Sequence, residues 1–181
     1  FRGFSELHLL ATDKGRGEKS RPYDRMRNGL VLGEGAGILV IEKEGHARSR
    51  GARIYGRILN YSLVGESPGG DPFKDLARSI RMTLEGREDI SIDYLSGAGN
   101  SSKALDPLEA KGVKETFRPR YPQIPVSSTK SMTGEAIASG GIRMAANVLS
   151  MENSFIPPTL NYLNPDPACD LHYVIDEKLD R

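Results

Sequence analysis

Ile124-Pro125-Val126-Ser127-Ser128-Thr129-Lys130-Ser131-Met132-Thr133-Gly134-Glu135 is the stretch on which the fold turns. Ile124 to Ser127 is a short apolar run of the length of a buried strand. A hydroxyl-rich turn with a single lysine follows, and Gly134 punctuates it. The next segment, Glu135 to Leu149, is rich in small residues: Ala136, Ala138, Ser139, Gly140, Gly141, Ala145 and Ala146. A helix of that composition allows close backbone approach and is expected to lie buried at the centre. Strand, turn and helix in this order form the repeating unit of an α/β domain, a sheet covered by helices.

The rest of the chain extends that unit. Leu171 to Ile175 reads as a last strand and Ile92 to Leu95 as a short one. Leu30 to Ile41 and Ile54 to Val64 are long β-rich runs, with a short basic helix between them at about Glu44 to Arg50. Phe4, Leu7 and Leu10 share one face of a helix end, and Thr12 to Ser20 is a polar, glycine-bearing loop. After the loop Ser67 to Pro72, Asp71 and Pro72 have the look of a helix cap and first position, with Phe73, Leu76, Ile80 and Leu84 as the apolar face. The loop Ser96 to Leu105 leads to Asp106-Pro107, which opens another helix, with Glu109 placed as a capping-box partner. No internal repeat or low-complexity tract is present.

Composition narrows the function. At 181 residues the prior is a single domain. Lys and Arg number 25 against 24 Asp and Glu, so no global field favours nucleic acid or an anionic membrane. No segment reaches the roughly 18–20 apolar residues of a membrane span. The start, Phe1-Arg2-Gly3-Phe4, lacks a signal-peptide plan and reads as a chain cut from something longer. The lone cysteine, Cys169, forms no intrachain disulfide, which favours a reducing, cytoplasmic compartment. It sits among acidic neighbours that raise a thiol pKa, so it reads as a small structural residue rather than a nucleophile. Gly33-Glu34-Gly35-Ala36-Gly37 lacks the spacing of a dinucleotide loop and reads as glycine for tight packing. No H-x-x-H or C-x-x-C implies a metal site, and no cofactor is implied. His8, His46 and His172 read as structural or solvated.

Five blocks together resemble the β-ketoacyl-acyl-carrier-protein synthases. Ser128-Thr129-Lys130-Ser131-Met132-Thr133-Gly134-Glu135 is similar to that family's K-S-x-x-G-H segment. Arg21-Pro22-Tyr23-Asp24-Arg25 through Gly33-Glu34-Gly35-Ala36-Gly37-Ile38-Leu39-Val40 resembles its R-P-F-D…G-E-G-A-G-x-L-V segment. His46-Ala47-Arg48-Ser49-Arg50-Gly51-Ala52-Arg53-Ile54-Tyr55 continues the likeness. Asp106-Pro107-Leu108-Glu109 and Ile156-Pro157-Pro158-Thr159-Leu160-Asn161, with Asn164-Pro165-Asp166-Pro167, complete it in family order. The resemblance implies the C-terminal half of a thiolase fold, incomplete at both ends. Residues 1–28 would be the end of the N-terminal half and a loop, and residues 29–181 the C-terminal domain, cut before its last strands.

The resemblance also implies a site. Such enzymes use a cysteine nucleophile, placed by the family in the half that precedes this one, and two histidines that stabilise an enolate formed by loss of carbon dioxide. The first histidine position is Ala98 and the second is Glu135. Neither is an imidazole. The family lysine is kept as Lys130, and the glutamate that pairs with it falls, by counting from Gly134, on Met144, next to Arg143. Lys130 is therefore expected to pair with Glu135 or cap local carbonyls. The function implied is a ketosynthase-family subunit of fatty-acid or polyketide elongation that does not itself condense, similar in logic to chain-length factors. The alternative is an active 3-oxoacyl synthase. Implied partners are acyl carrier protein and a second ketosynthase subunit, as homodimer or heterodimer. Arg48, Arg50, Arg53 and Arg57, and Arg118 and Arg120, suit solvent or an acidic carrier.

Overall fold

The computed structural model describes residues 2–12, 19–66, 68–87, 89–136, 139–175 and 179–180. Most of the expected loop Thr12 to Ser20 lies outside them, as do Ser67 and Ala138. The helices are α1 (Arg2–Glu6), α2 (Glu44–Ser49), α3 (Pro72–Leu84), α4 (Leu105–Phe117), α5 (Lys130–Thr133) and α6 (Ser139–Asn153). The strands are β1 (Leu95–Ser96), β2 (Pro125–Ser127), β3 (Phe155–Ile156), β4 (His172–Tyr173) and β5 (Leu179–Asp180).

A parallel sheet in the order β1-β2-β4 holds the molecule together. β2 is central and buried throughout, as its apolar composition predicts for a parallel strand. Leu95 pairs with Val126, and Val126 pairs with Tyr173. Tyr23, Ala110, Val126, Cys169 and Tyr173 form one core cluster. Val113, Phe117 and Ile124 form a second, against which Ile80, Leu84 and Ile92 of the α3 side pack. Gly112 of α4 lets α3 approach closely, because a Cβ there would stand 2.9 Å from Leu76. A second, antiparallel pair joins β3 to β5.

Several expectations need correction. The runs Leu30 to Ile41 and Ile54 to Val64 form no ladder among the described residues; the first contributes only single bridges, from Leu30 to Leu10 and from Leu32 to Glu135. Leu30 is buried, but many of their side chains stay exposed, Ile38 at 93% and Leu63 at 89%. β-propensity records a fit to neighbouring strands, and among the described residues these runs find none beyond those bridges. The glycines of the first run serve close packing against helices instead. A Cβ on Gly33 would lie 1.8 Å from the Thr133 carbonyl oxygen, and one on Gly37 would lie 2.4 Å from the Gly141 carbonyl carbon. α6 thus has the close backbone approach its composition implies, yet it is not central: Met144, Leu149 and Met151 are exposed. α1 stops at Glu6, and Leu7 is 70% exposed, so the shared apolar face of Phe4, Leu7 and Leu10 does not form. Asp71 and Pro72 do open α3, but the Asp71 carboxylate pairs with Lys74 at 3.1 Å rather than capping an N–H.

Candidate functional site

The site assembles where β1 and β2 end. Ser128 turns the chain out of β2. Its hydroxyl donates to the Gly99 carbonyl at 2.6 Å, and its N–H donates to Thr159 Oγ1 at 2.9 Å. Ser131 Oγ donates back to the Ser128 carbonyl and accepts from the Leu160 N–H. Ser20 Oγ donates to the Lys130 carbonyl at 2.8 Å. The serine hydroxyls of the turn therefore tie it to the Gly99 and Leu160 backbone. At Gly134 φ is +72°, and a Cβ would stand 2.8 Å from the Gly33 nitrogen, so only glycine fits. Glu135 follows at once. Its N–H donates to the Val31 carbonyl at 2.8 Å, and its carbonyl accepts from the Gly33 N–H at 2.9 Å.

The Glu135 side chain turns inward. Its Oε2 accepts from Lys130 Nζ at 2.7 Å and from Asn100 Nδ2 at 2.7 Å. The ion pair is buried, with Lys130 8% and Glu135 15% exposed. An oxygen that accepts from two donors cannot donate to developing negative charge. The expected pairing of Lys130 with Glu135 is thus what the structure has. Asn100 was not anticipated; the only signal for it in the sequence is its place two residues beyond Ala98.

The loop carrying Ala98 is fixed from behind by two carboxylates. Glu109 Oε1 accepts from the Ala98 N–H at 2.6 Å, and Glu109 Oε2 accepts from the Tyr23 hydroxyl at 2.7 Å. That hydroxyl in turn accepts from the Gly99 N–H. Asp106 accepts from the N–H groups of Tyr23, Asn100 and Ser101 at 2.8–3.1 Å. The expected capping box is thereby overturned. α4 begins at Leu105, and Ser102 Oγ accepts from the Leu105 N–H, while Asp106 and Glu109 serve Tyr23 and the loop Ala98 to Ser101. Burial raises the Asp106 carboxyl above its ordinary value, against the pull of those N–H donors. Burial also raises the Tyr23 phenol well above its usual range, helped by Glu109. Ala98 itself is exposed and offers no polar side chain.

Met144 does not reach this cluster: it is 39% exposed on α6. Its neighbour Arg143 is the residue that turns to the strand ends, donating from Nη2 to the Ser96 carbonyl at 2.9 Å. Counting along the sequence cannot tell which of two adjacent helical residues faces inward, because one position rotates a side chain by about a quarter turn.

Cys169 lies fully buried in the core, and burial pushes its thiol up to about 12, so it is inert as a nucleophile. Arg27 forms a buried ion pair with Asp166, which holds that carboxyl below its ordinary value. His8 and His172 are exposed; His46 meets Glu42 at the surface. Arg48 and Arg57 pair with Glu44, Arg50 with Glu42 and Arg53 with Glu152, so each arginine of that cluster meets a carboxylate of this chain. No helix among the described residues is long and apolar enough to cross a membrane.

Comparison with known proteins gives the family and the fold. Residues 70–163 match the family described as beta-ketoacyl synthase, C-terminal domain, and residues 1–47 match beta-ketoacyl synthase, N-terminal domain. The 3-oxoacyl-[acyl-carrier-protein] synthase 2 of Coxiella burnetii is 38% identical over 97% of this chain. That of Staphylococcus aureus is 39% identical over 98%. The chain spans 44% and 46% of those relatives, less than half of each. Among solved structures, a type II PKS ketosynthase in complex with its acyl-carrier protein superposes with a TM-score of 0.89 at 31% identity, over 99% of this chain and 46% of that one. The ishigamide ketosynthase/chain length factor gives 0.88 at 33%, over 99% and 44%. A beta-ketoacyl synthase from Burkholderia phymatum gives 0.89 at 31%, over 99% and 45%. The fold is that of part of a thiolase-fold ketosynthase. The chain belongs to the β-ketoacyl synthase family.

Proposed function

We propose that this chain is part of a ketosynthase-family subunit of fatty-acid or polyketide elongation that does not itself condense. The observation that carries the reading is the Glu135 carboxylate held by Lys130 and Asn100. Decarboxylative condensation requires donors aimed at an enolate oxygen. Of the two positions where the family resemblance puts those donors, one is a methyl group, Ala98, and the other an acceptor already engaged. Loss of one such donor typically costs about a hundred- to a thousandfold in rate. Two are absent here.

Such a subunit acts through a partner. The likeness to a ketosynthase/chain length factor supports pairing with an active ketosynthase, and the likeness to a ketosynthase with bound acyl-carrier protein supports acyl carrier protein as the carrier served. The chain would then shape the space into which the acyl chain grows. The second reading, an active 3-oxoacyl-acyl-carrier-protein synthase with its nucleophile elsewhere in the polypeptide, is favoured by the names of its 38–39% identical relatives.

The test is reconstitution. The natural polypeptide is given acyl- and malonyl-carrier thioesters, alone and with a condensing ketosynthase, and the products are sized by mass spectrometry. The expected result is 3-oxoacyl product only in the mixture, with a chain length the added subunit alters. Product from the polypeptide alone would favour the second reading.

A further inference from the structure

Where β1 ends against α6, the chain leaves a corner of polar atoms unmatched. Among the described residues five buried side-chain polar atoms have no hydrogen-bond partner, and three of them belong to this corner: Ser96 Oγ, Arg143 Nε and Asn147 Oδ1. Arg143 reaches Ser96 by donating from Nη2 to its carbonyl at 2.9 Å. Asn147 stands four residues further along α6, on the face that carries Arg143. Folded chains leave few buried polar atoms unmatched, and those they do leave tend to serve a ligand, an ion or water. The guanidinium adds a charge to the account. Arg27, Arg48, Arg50, Arg53 and Arg57 each meet a carboxylate of this chain. Among the described residues no carboxylate stands within ion-pair distance of Arg143, although the residue is half-buried.

We propose that Ser96, Arg143 and Asn147 form a binding site for a small carboxylate. Its oxygens accept from Arg143 Nε and from the Ser96 hydroxyl, both charge-assisted bonds. Asn147, with its amide turned over, presents Nδ2 as a further donor. A neutral ligand would match the hydroxyl and the amide but leave the guanidinium without a counter-charge. The corner borders the loop of Ala98. Gly97 N–H donates to the Ser127 carbonyl at 2.8 Å, so the chain runs on from β1 towards Ala98. Ser96 and Ala98, two residues apart on extended chain, stand about 6.6 Å from each other on one face. The same carboxylate chemistry is met in a free short dicarboxylate and in an acyl thioester that ends in a carboxylate. The inference stands on these three side chains and does not rest on whether the polypeptide condenses.

The test is isothermal titration calorimetry on the natural polypeptide, with malonate ion, malonyl-pantetheine and acetyl-pantetheine as probes. Malonyl-pantetheine should bind at least about tenfold more tightly than acetyl-pantetheine, which lacks the carboxylate. Arg143→Met should weaken malonate and malonyl-pantetheine by at least about thirtyfold and leave acetyl-pantetheine unchanged. Ser96→Ala should weaken the carboxylate probes about tenfold without lowering the melting temperature, because its Oγ has no partner in the chain to lose. Malonyl-pantetheine tighter than malonate would assign the site to a carboxylate-ended acyl group, and equal affinities to a free dicarboxylate; both support the proposal. Malonyl-pantetheine no tighter than acetyl-pantetheine, with no binding of malonate, would overturn it. So would carboxylate affinities within twofold of the parent in Arg143→Met. Circular dichroism checks that this variant is folded; if it is not, affinities within twofold of the parent in Ser96→Ala decide against the proposal in its place.

Discussion

Lys130 and Glu135 show how one substitution redirects a site. Lys130 is nearly buried, and its ammonium leans on a carboxylate that stands where the family resemblance puts an imidazole. Removing one partner of a buried pair strands the other charge, at a cost of about 3–5 kcal/mol. Glu135→Ala should therefore lower stability by about 3 kcal/mol in urea denaturation, with an unchanged slope. Glu135→Gln, whose carbonyl still accepts from Lys130 and Asn100, should lose less. Equal stability of parent and Glu135→Ala would show that the pair does not hold the turn. The pairing of Lys130 with Glu135 was legible because the two stand five residues apart in one short segment. Asn100 and Arg143 were not. Asn100 meets Glu135 across 35 positions of sequence, and Arg143 is distinguished from Met144 only by the rotation of α6.

At the scale of elements, β2 and the helices α3 and α4 were readable from apolar run lengths and proline, whereas α5 lies in the hydroxyl-rich stretch that reads as a turn. The runs Leu30 to Ile41 and Ile54 to Val64 were misread, because β-rich composition reports suitability for pairing and says nothing of whether a partner strand is present. The glycine-rich part of the first run still had a meaning: it lies on α6 through a contact between Gly37 and Gly141 backbones. A Cβ on Gly141 would stand 2.4 Å from the Gly37 carbonyl oxygen, and the obstacle is backbone that cannot rotate away. Gly140, its neighbour on the same helix, has nothing within 4 Å of an added Cβ. Gly141→Ala should destabilise by about 1–3 kcal/mol through overpacking. Gly140→Ala should be neutral or stabilise by up to about 1 kcal/mol through helix propensity. Thermal melts of the pair check this; two equal changes in melting temperature would mean that α6 does not depend on the close approach.

Across the whole molecule, apolar surface is left uncovered: Ile38, Val40, Ile41, Tyr61 and Leu63 are each at least 70% exposed. Monomers rarely expose apolar patches beyond a few hundred Å². These 181 residues expressed alone should bind a hydrophobic dye strongly and self-associate on size exclusion; a monodisperse monomer with a cooperative melt would contradict this. The class of the fold was legible from ordered motifs, whereas the extent of this open face was not, since exposure depends on what lies across it. On the proposed reading, a carboxylate fastened by Lys130 and Asn100 has taken the place of a donor that the chemistry requires. That reading is tested most directly by carbon dioxide release from a malonyl-carrier thioester labelled in its free carboxyl group, with the natural polypeptide as sole catalyst. Release no faster than in buffer is expected. Release at the rate of condensing relatives would contradict it.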